Sequence, residues 1–176
     1  DGKITELDQT WIYDPVPDFT YGFNIYLEYK NFDFTAFFQG VQGVDIISDL
    51  KKVTDIWAGL NIGNLYKGHR LLNAWCVDNP SSNIPAVTLS DNNNEKRVST
   101  YWVENGSYLK LRTIQLGYNL PQNIVSKLSM QRLRMYVSAQ NLFTIKSSSF
   151  TGVDPENPNY GYPIPLNITF GLNVTF

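Results

Sequence analysis

A strict alternation of apolar and polar residues at the end of the chain is the feature that most constrains its fold. Every second residue is apolar over 168–176, and the residues between are Thr, Gly, Asn and Thr. Neighbouring side chains on a β-strand point to opposite faces, so this segment predicts a strand with one apolar and one polar face. The same pattern predicts strands over 19–30, 32–39 and 132–140, and all their charged residues fall on the polar faces.

A fifth strand is predicted over 108–120, but its apolar phase changes partway along. Leu111 belongs to one phase and Ile114 to the other. A β-bulge near 112–113 would reconcile the two phases, because one extra residue reverses the faces of all later side chains. The alternative is that 108–112 lies outside the medium that the apolar face meets. With either reading the sequence predicts an all-β fold of about five antiparallel strands.

Two environments require strands with one apolar face. A soluble β-sandwich buries that face on a second sheet, whereas a membrane β-barrel turns it to lipid. The connections alternate between long and short along the chain: 1–18 (long), 30–31 (short), 41–101 (long), 121–130 (short) and 143–163 (long). Long extracellular loops and short periplasmic turns are typical of outer-membrane barrels. Because a barrel needs about eight strands or more, the sequence predicts one arc of a larger wall.

The composition excludes several classes of function. A net charge of −2 gives no electrostatic reason to expect a nucleic-acid partner. One cysteine and one histidine, Cys76 and His69, provide neither a disulfide framework nor a multi-histidine site, and no motif argues for an enzyme. The chain opens at Asp1 without an initiator Met, which we interpret as a piece of a longer protein.

The chain also carries seven blocks of sequence in a fixed order: DFTYGFN (18–24), FFQG (37–40), NPSSNIP (79–85), GSYLKLR (106–112), LGYNLP (116–121), YVSAQNLFT (136–144) and GLNVTF (171–176). In this order they resemble successive parts of the C-terminal barrel of SusC/RagA-type TonB-linked (TonB-dependent) outer-membrane transporters. The resemblance implies that residues 1–176 are the C-terminal part of one transmembrane β-barrel domain, with the plug and the earlier strands absent.

The resemblance implies a function in transport. It implies the import of oligosaccharides or peptides across the outer membrane of a Gram-negative, Bacteroidetes-type bacterium. The implied partners are a SusD-like surface lipoprotein, TonB acting through the missing N-terminal part, the plug and remaining strands of the same protein, and the lipid bilayer. Two alternatives stay open, which are a soluble carbohydrate-binding β-sandwich module and a passive porin assembled from short chains.

In a barrel, the two phases of the alternation predict which side chains face lipid and which face the lumen. The predicted lipid-facing residues are Phe19, Tyr21, Phe23, Ile25, Leu27, Leu133, Met135, Val137, Phe170 and Leu172. The predicted lumen-facing residues are Glu28, Asp33, Gln39, Arg132, Arg134 and Gln140. Charges are tolerated in a lumen and are costly on the lipid side.

The two ends of the chain resemble known signals. The last eight residues resemble the signal read by the outer-membrane barrel assembly machinery, and the matching positions are Thr169, Gly171, Val174 and Phe176. The first eight resemble the second half of an EF-hand-type calcium loop, with Asp1, Lys3 and Asp8 at ligand positions. A structural Ca²⁺ is therefore expected in the intact protein only, and a solvated turn is the alternative.

The long connection 41–100 carries a second periodicity. An apolar helical face is predicted there and comprises Val44, Ile47, Leu50, Val53 and Trp57. Such a helix would pack on neighbouring loops, or it would contact a partner protein that acts as a lid on the barrel mouth. Three aromatic residues of this connection are candidate stacking platforms for a sugar or peptide, or else loop-core residues: Trp57, Tyr66 and Trp75. We expect His69 on the surface, Cys76 as a small packed hydrophobe, and Asp154 and Glu156 as turn formers.

Overall fold

The computed structural model describes residues 6–54, 72–86, 97–158 and 162–176. The chain divides into two compact units, and each is built from three separate stretches of sequence. The sheet unit comprises 17–43, 106–147 and 162–176, and the loop unit comprises 1–16, 44–105 and 148–161. The connections between strands therefore pack with one another as a unit of their own.

Seven strands are described, numbered along the chain: β1 Phe19–Tyr29, β2 Phe32–Gln42, β3 Asp45–Ile47, β4 Val103–Asn105, β5 Tyr108–Asn119, β6 Arg132–Lys146 and β7 Asn167–Thr175. Five of them form one antiparallel sheet in the order β1-β2-β5-β6-β7. The prediction of about five antiparallel strands is confirmed. β3 and β4 pair with each other and belong to the loop unit.

Short turns join the strands at one end of the sheet. Between β1 and β2 the chain reverses over two residues, and Lys30 has φ 56 there. Between β5 and β6 it passes through a single turn of helix over Gln122–Val125 and a 3-10 turn over Ser126–Leu128. Ser129 then has φ 56. The two connections at the opposite end, 43–107 and 147–166, are long, as the sequence predicts.

The register confirms the bulge predicted in β5. Phe37 pairs with Thr113 and Phe38 with Leu111, so Arg112 has no partner in the β2–β5 ladder. The β5–β6 ladder skips the same residue. The extra residue returns Leu111 and Ile114 to one face. Residues 108–112 continue β5, and the alternative that they lie outside the medium that the apolar face meets stays a prediction.

Rows of paired residues cross all five strands on each face. One apolar row consists of Leu27, Phe34, Leu116, Val137 and Phe170, and the next of Ile25, Ala36, Ile114, Ala139 and Ile168. Between them, on the opposite face, lies a polar row of Tyr26, Thr35, Gln115, Ser138 and Thr169. One face of the sheet is therefore apolar along these rows, and the opposite face is mainly polar, although Phe37 and Val41 also lie on it.

β7 begins later along the chain than the apolar pattern that leads into it. Ile164 and Leu166 continue the apolar phase, but pairing with β6 stops at Asn167 opposite Gln140. Pro165 has no N–H to donate to a ladder. Instead, the Nδ2 of Asn141 donates to the carbonyl of Pro165 over 3.3 Å, and Asn141 has φ 57. A side-chain hydrogen bond thus replaces the ladder at this point.

The loop unit corrects the predicted helix in the long connection. The segment containing Ile47 is strand β3, and Ile47 pairs with Val103 of β4. Helix α1 is described over Asp49–Thr54. The predicted helix is wrong at Ile47, because pairing with a distant segment overrides the local periodicity. Trp57 lies outside the described residues. None of the described helices is long and apolar enough to cross a bilayer.

Candidate functional site

The polar face of the five-stranded sheet is the candidate functional surface. The register places all six residues predicted to face a lumen on this face, namely Glu28, Asp33, Gln39, Arg132, Arg134 and Gln140. It places all ten residues predicted to face lipid on the opposite face. The strands thus separate the two sets, and which medium each face meets stays a prediction.

An ion pair crosses three strands of this face. The guanidinium of Arg134 on β6 binds the carboxylate of Asp33 on β2, with Nε 2.8 Å from Oδ2 and Nη2 also bonded to Oδ1. Asp33 is buried, and both side chains are shielded from water. Neighbouring strands lie about 4.8 Å apart, so the pair spans about 10 Å over β5. The contact is bidentate, which is the strong geometry for these groups.

A glycine of β5 makes this crossing possible. Gly117 pairs with Asp33 on one side and with Tyr136 on the other. A Cβ at Gly117 would fall on Nη2 of Arg134 and on the carboxylate of Asp33. Only a residue without a side chain therefore leaves room for the ion pair. The sequence pattern gave no sign of this role, because Gly117 lies far along the chain from both partners.

Two further contacts extend the polar network toward the short turns. Both Nε and Nη2 of Arg132 donate to Oδ1 of Asn119, over 3.0 and 2.8 Å. Nδ2 of Asn119 in turn donates to Asp33 over 3.4 Å. The network therefore joins β2, β5 and β6 at this end of the sheet. On β1 the hydroxyl of Tyr26 donates to Glu28 over 2.6 Å.

The bulge adds a cation to the polar face near the long connections. Arg112 Nε donates to Oε1 of Gln39 over 2.9 Å. Lys110 pairs with Gln39 across the β2–β5 ladder and is 1% exposed. Its Nζ lies 5.7 Å from the ring centroid of Tyr108. The change of apolar phase in the sequence predicts the bulge but does not indicate that Arg112 lies on this face.

A buried carboxylate connects three segments of the loop unit. Glu104 of β4 is 3% exposed, and its Oε1 lies 3.1 Å from Nζ of Lys51 on α1. Thr151 donates to the same carboxylate twice, from its backbone N over 3.0 Å and from Oγ1 over 2.7 Å. The Nζ of Lys51 also donates to the carbonyl of Tyr101 over 2.9 Å. We call these contacts the Glu104 network.

The NPSSNIP block forms a closed turn in the loop unit. Ser82 Oγ and Asn79 Nδ2 both donate to the carbonyl of Asn73, and the N–H of Trp75 donates to Ile84 over 2.8 Å. Trp75 is 45% exposed. Cys76 is also exposed, so its prediction as a packed hydrophobe is wrong, because it lies at a bridge to Asn79 on the surface of the turn. Trp57, Tyr66 and His69 lie outside the described residues.

The remaining predicted positions fall near chain ends and turns. Asp154 is a turn former as predicted, since its Oδ1 accepts the N–H of Glu156 over 3.0 Å. Asp1 and Lys3 lie outside the described residues, and Asp8 ends a 3-10 turn over Glu6–Asp8. In the described ranges no three His, Cys, Asp or Glu side chains group as metal ligands. The calcium ion therefore stays a prediction.

The four positions that resemble an assembly signal lie on and beside the last strand. Thr169, Gly171 and Val174 belong to β7, and Phe176 follows its end and is exposed. β7 is an edge of the sheet as described. An edge strand offers unpaired backbone groups to another strand. The assembly signal stays a prediction.

Comparison with known proteins gives consistent matches along the whole chain. The chain is 36% identical to TonB-dependent receptor P3 of Formosa agariphila, over 99% of this chain and 18% of that protein. It is 29% identical to TonB-dependent receptor SusC of Bacteroides thetaiotaomicron, over 99% of this chain and 17% of that protein. Among solved structures, the RagAB peptide transporter matches with a TM-score of 0.77 and 25% identity, over 100% of this chain and 19% of the matched chain.

No protein-family model matches the chain. The chain spans less than a fifth of the length of the relatives named above.

The ion pair across β5 generates a test of stability. We expect Asp33→Ala in the full-length protein to lower the free energy of unfolding by about 3 kcal/mol, because Arg134 is left without its carboxylate partner. The double variant Asp33→Ala/Arg134→Met is expected to recover part of that loss. Urea unfolding of the purified protein in detergent measures both changes. An equal loss of unfolding free energy in the single and double variants would contradict the coupling between Asp33 and Arg134.

The Glu104 network generates a test of loop packing. We expect Glu104→Ala to speed proteolysis of the connections 43–107 and 147–166 several-fold, because Lys51 and Thr151 both lose their partner. Limited proteolysis of the full-length protein followed by mass spectrometry locates the cuts. Asp78→Asn is the control, since Asp78 is exposed on the turn of the same connection. Proteolysis of both variants at the wild-type rate would show that the Glu104 network does not stabilise the loop unit.

Proposed function

Because the chain is homologous along its whole length to the SusC/RagA-type TonB-dependent receptors, we propose that it forms part of the barrel wall of an outer-membrane nutrient importer. The intact importer takes up oligosaccharides or peptides. The five-stranded sheet lies in the outer membrane of a Gram-negative bacterium with its apolar face toward lipid. The observation that carries this proposal is the continuous apolar face described above.

The exposure of that face supports a lipid environment. Phe170, near the middle of β7, is 80% exposed, and on β1 Phe23 is 44% and Leu27 60% exposed. Contiguous apolar surface of this extent requires lipid or a protein partner to cover it. A soluble carbohydrate-binding sandwich, which is the alternative, would bury these side chains on a second sheet. The exposed rows therefore favour the barrel wall.

The height of the apolar face also fits a membrane. Aromatic residues occur at both ends of the face, with Phe19 and Tyr21 near the long connections and Tyr29, Phe32 and Tyr118 near the short turns. β1 contains 11 residues, and this length corresponds to about 33 Å along the strand. At a tilt of about 45° the strand rises about 23 Å, close to the apolar band of about 25 Å in such barrels. The two aromatic groups match the girdles at the two interfaces.

The opposite face then lines the lumen and contacts the plug of the same protein. Its side chains include the Asp33–Arg134 pair and the polar row through Gln115, which are compatible with an aqueous interior. The long connections lie on the extracellular side, and the short turns lie on the periplasmic side. Cargo capture falls to the extracellular connections, where Trp75 is half exposed and offers a ring for stacking. Trp57 and Tyr66 have the same proposed role.

The proposed partners follow from the relatives. TonB powers opening through a segment outside residues 1–176, and a SusD-like lipoprotein covers the extracellular mouth. The support is the similarity to SusC and to a protein of the RagAB peptide transporter. The terminal positions Thr169, Gly171, Val174 and Phe176 direct assembly, and a Ca²⁺ in the intact protein binds at Asp1, Lys3 and Asp8. The relatives are named receptors and importers, and the proposal includes no catalytic step.

A pair of neighbouring substitutions tests the face assignment. We expect Phe23→Arg in the full-length protein to abolish assembly in the outer membrane, because a cation on the lipid side costs about 2–4 kcal/mol at the midplane. Phe23 stacks on Phe38 with ring centroids 4.6 Å apart on the apolar face. Asn24→Arg, one residue along on the polar face, is the matched control and is expected to assemble. Equal amounts of both variants in the membrane would contradict the assignment.

Uptake by whole cells tests the transport proposal. Cells that carry the full-length protein are offered fluorescent oligosaccharides and peptides. Uptake is compared in cells with and without TonB, and in cells with and without the proposed SusD-like lipoprotein. We expect uptake of one of the two cargo classes, and we expect it to stop without TonB. Uptake that persists without TonB would instead indicate a passive porin. No uptake of either class by an assembled barrel would contradict import.

A further inference from the structure

One row of the polar face has a glycine on each side of a tyrosine. The register aligns Asp33 on β2, Gly117 on β5, Tyr136 on β6 and Gly171 on β7. Glycine is depleted in strands because it provides no side chain to pack and loses more backbone entropy on folding. Two glycines in one row therefore require a reason in the packing of their neighbours.

The ring of Tyr136 occupies the space over Gly171. A Cβ built on Gly171 falls on Cζ and Oη of Tyr136, far inside any allowed contact distance. The ring therefore leans along its row toward β7 and covers the backbone of the last strand. Any side chain at 171, even a methyl group, would displace the ring from this position.

Arg134 also contacts the ring of Tyr136. Its Cζ lies 5.3 Å from the ring centroid of Tyr136, which is cation–π distance. The same guanidinium binds Asp33 across Gly117. Contacts therefore run without interruption from β2, over β5 and β6, to β7. Each of the two glycines provides the space for one of these contacts.

We propose that Gly171 is the socket for Tyr136, and that this contact, held by Arg134 and Asp33, fixes the last strand against the rest of the sheet. The glycine in the terminal segment is then required by packing within the sheet, whether or not an assembly factor reads it. Tyr136 and Gly171 are positioning residues for β7. This inference goes beyond import and does not depend on what the protein carries.

A compensating pair of substitutions tests the socket in the full-length protein. We expect Gly171→Ala to reduce the amount of folded, heat-modifiable barrel in the outer membrane by about tenfold, within the range of coupling between contacting residues. Tyr136→Thr removes the ring and keeps a β-branched strand former. The double variant Gly171→Ala/Tyr136→Thr is expected to return to the amount found for Tyr136→Thr alone. Asn173→Ala, on the same face of β7, is the control and is expected to match the wild type.

The outcomes separate the socket from other roles of Gly171. A double variant that stays as low as Gly171→Ala would overturn the proposal, because the glycine would then matter without the ring. Wild-type folding of Gly171→Ala would overturn it as well. If Tyr136→Thr alone lowers the amount of barrel in the membrane, the urea midpoints of unfolding are measured for the assembled wild type, the two single variants and the double variant. The double-mutant cycle then gives the interaction between positions 136 and 171. Loss of uptake by a normally folded barrel would contradict the import proposal and leave the socket unaffected.

Discussion

The antiparallel register is the constraint on which the rest of the sheet unit depends. Side chains alternate with a period of two, so a slip of one residue in any ladder would exchange the apolar and polar faces of that strand. The single extra residue in β5, Arg112, keeps Leu111 and Ile114 on the same face. Every feature of the polar face, including the ion pair across Gly117, depends on this alignment being correct across five strands.

Local patterns in the sequence predict this sheet because period-two alternation is a property of neighbouring residues. The five strands, the bulge and the membership of each face could all be predicted from it. The pattern did not predict the space that Gly117 leaves for Arg134 and Asp33, which come from distant parts of the chain. The local pattern also predicted a helix that includes Ile47. This prediction fails because the partner of Ile47 in β4 lies more than fifty residues away along the chain.

The loop unit shows that long connections can have a core of their own. Trp102 is almost fully buried there, and its Nε1 donates to the carbonyl of Arg97 over 2.8 Å. The Glu104 network also belongs to this unit and links residues of two different connections between strands, 44–105 and 148–161. Exposed loops are ordinarily the most variable and mobile parts of a protein. Here a buried, fully hydrogen-bonded carboxylate opposes that tendency.

The late start of β7 gives the sheet a stepped border. β6 continues for six residues beyond Gln140, where its ladder with β7 stops, and these residues correspond to a step of about 20 Å. In this step residues 143–146 of β6 pair with β5 and with no other described strand, and the side-chain amide of Asn141 donates to the carbonyl of Pro165. Insertions after Lys146 would therefore lengthen the connection without breaking any ladder bond of β7. We expect evolutionary change in loop length to concentrate at this step.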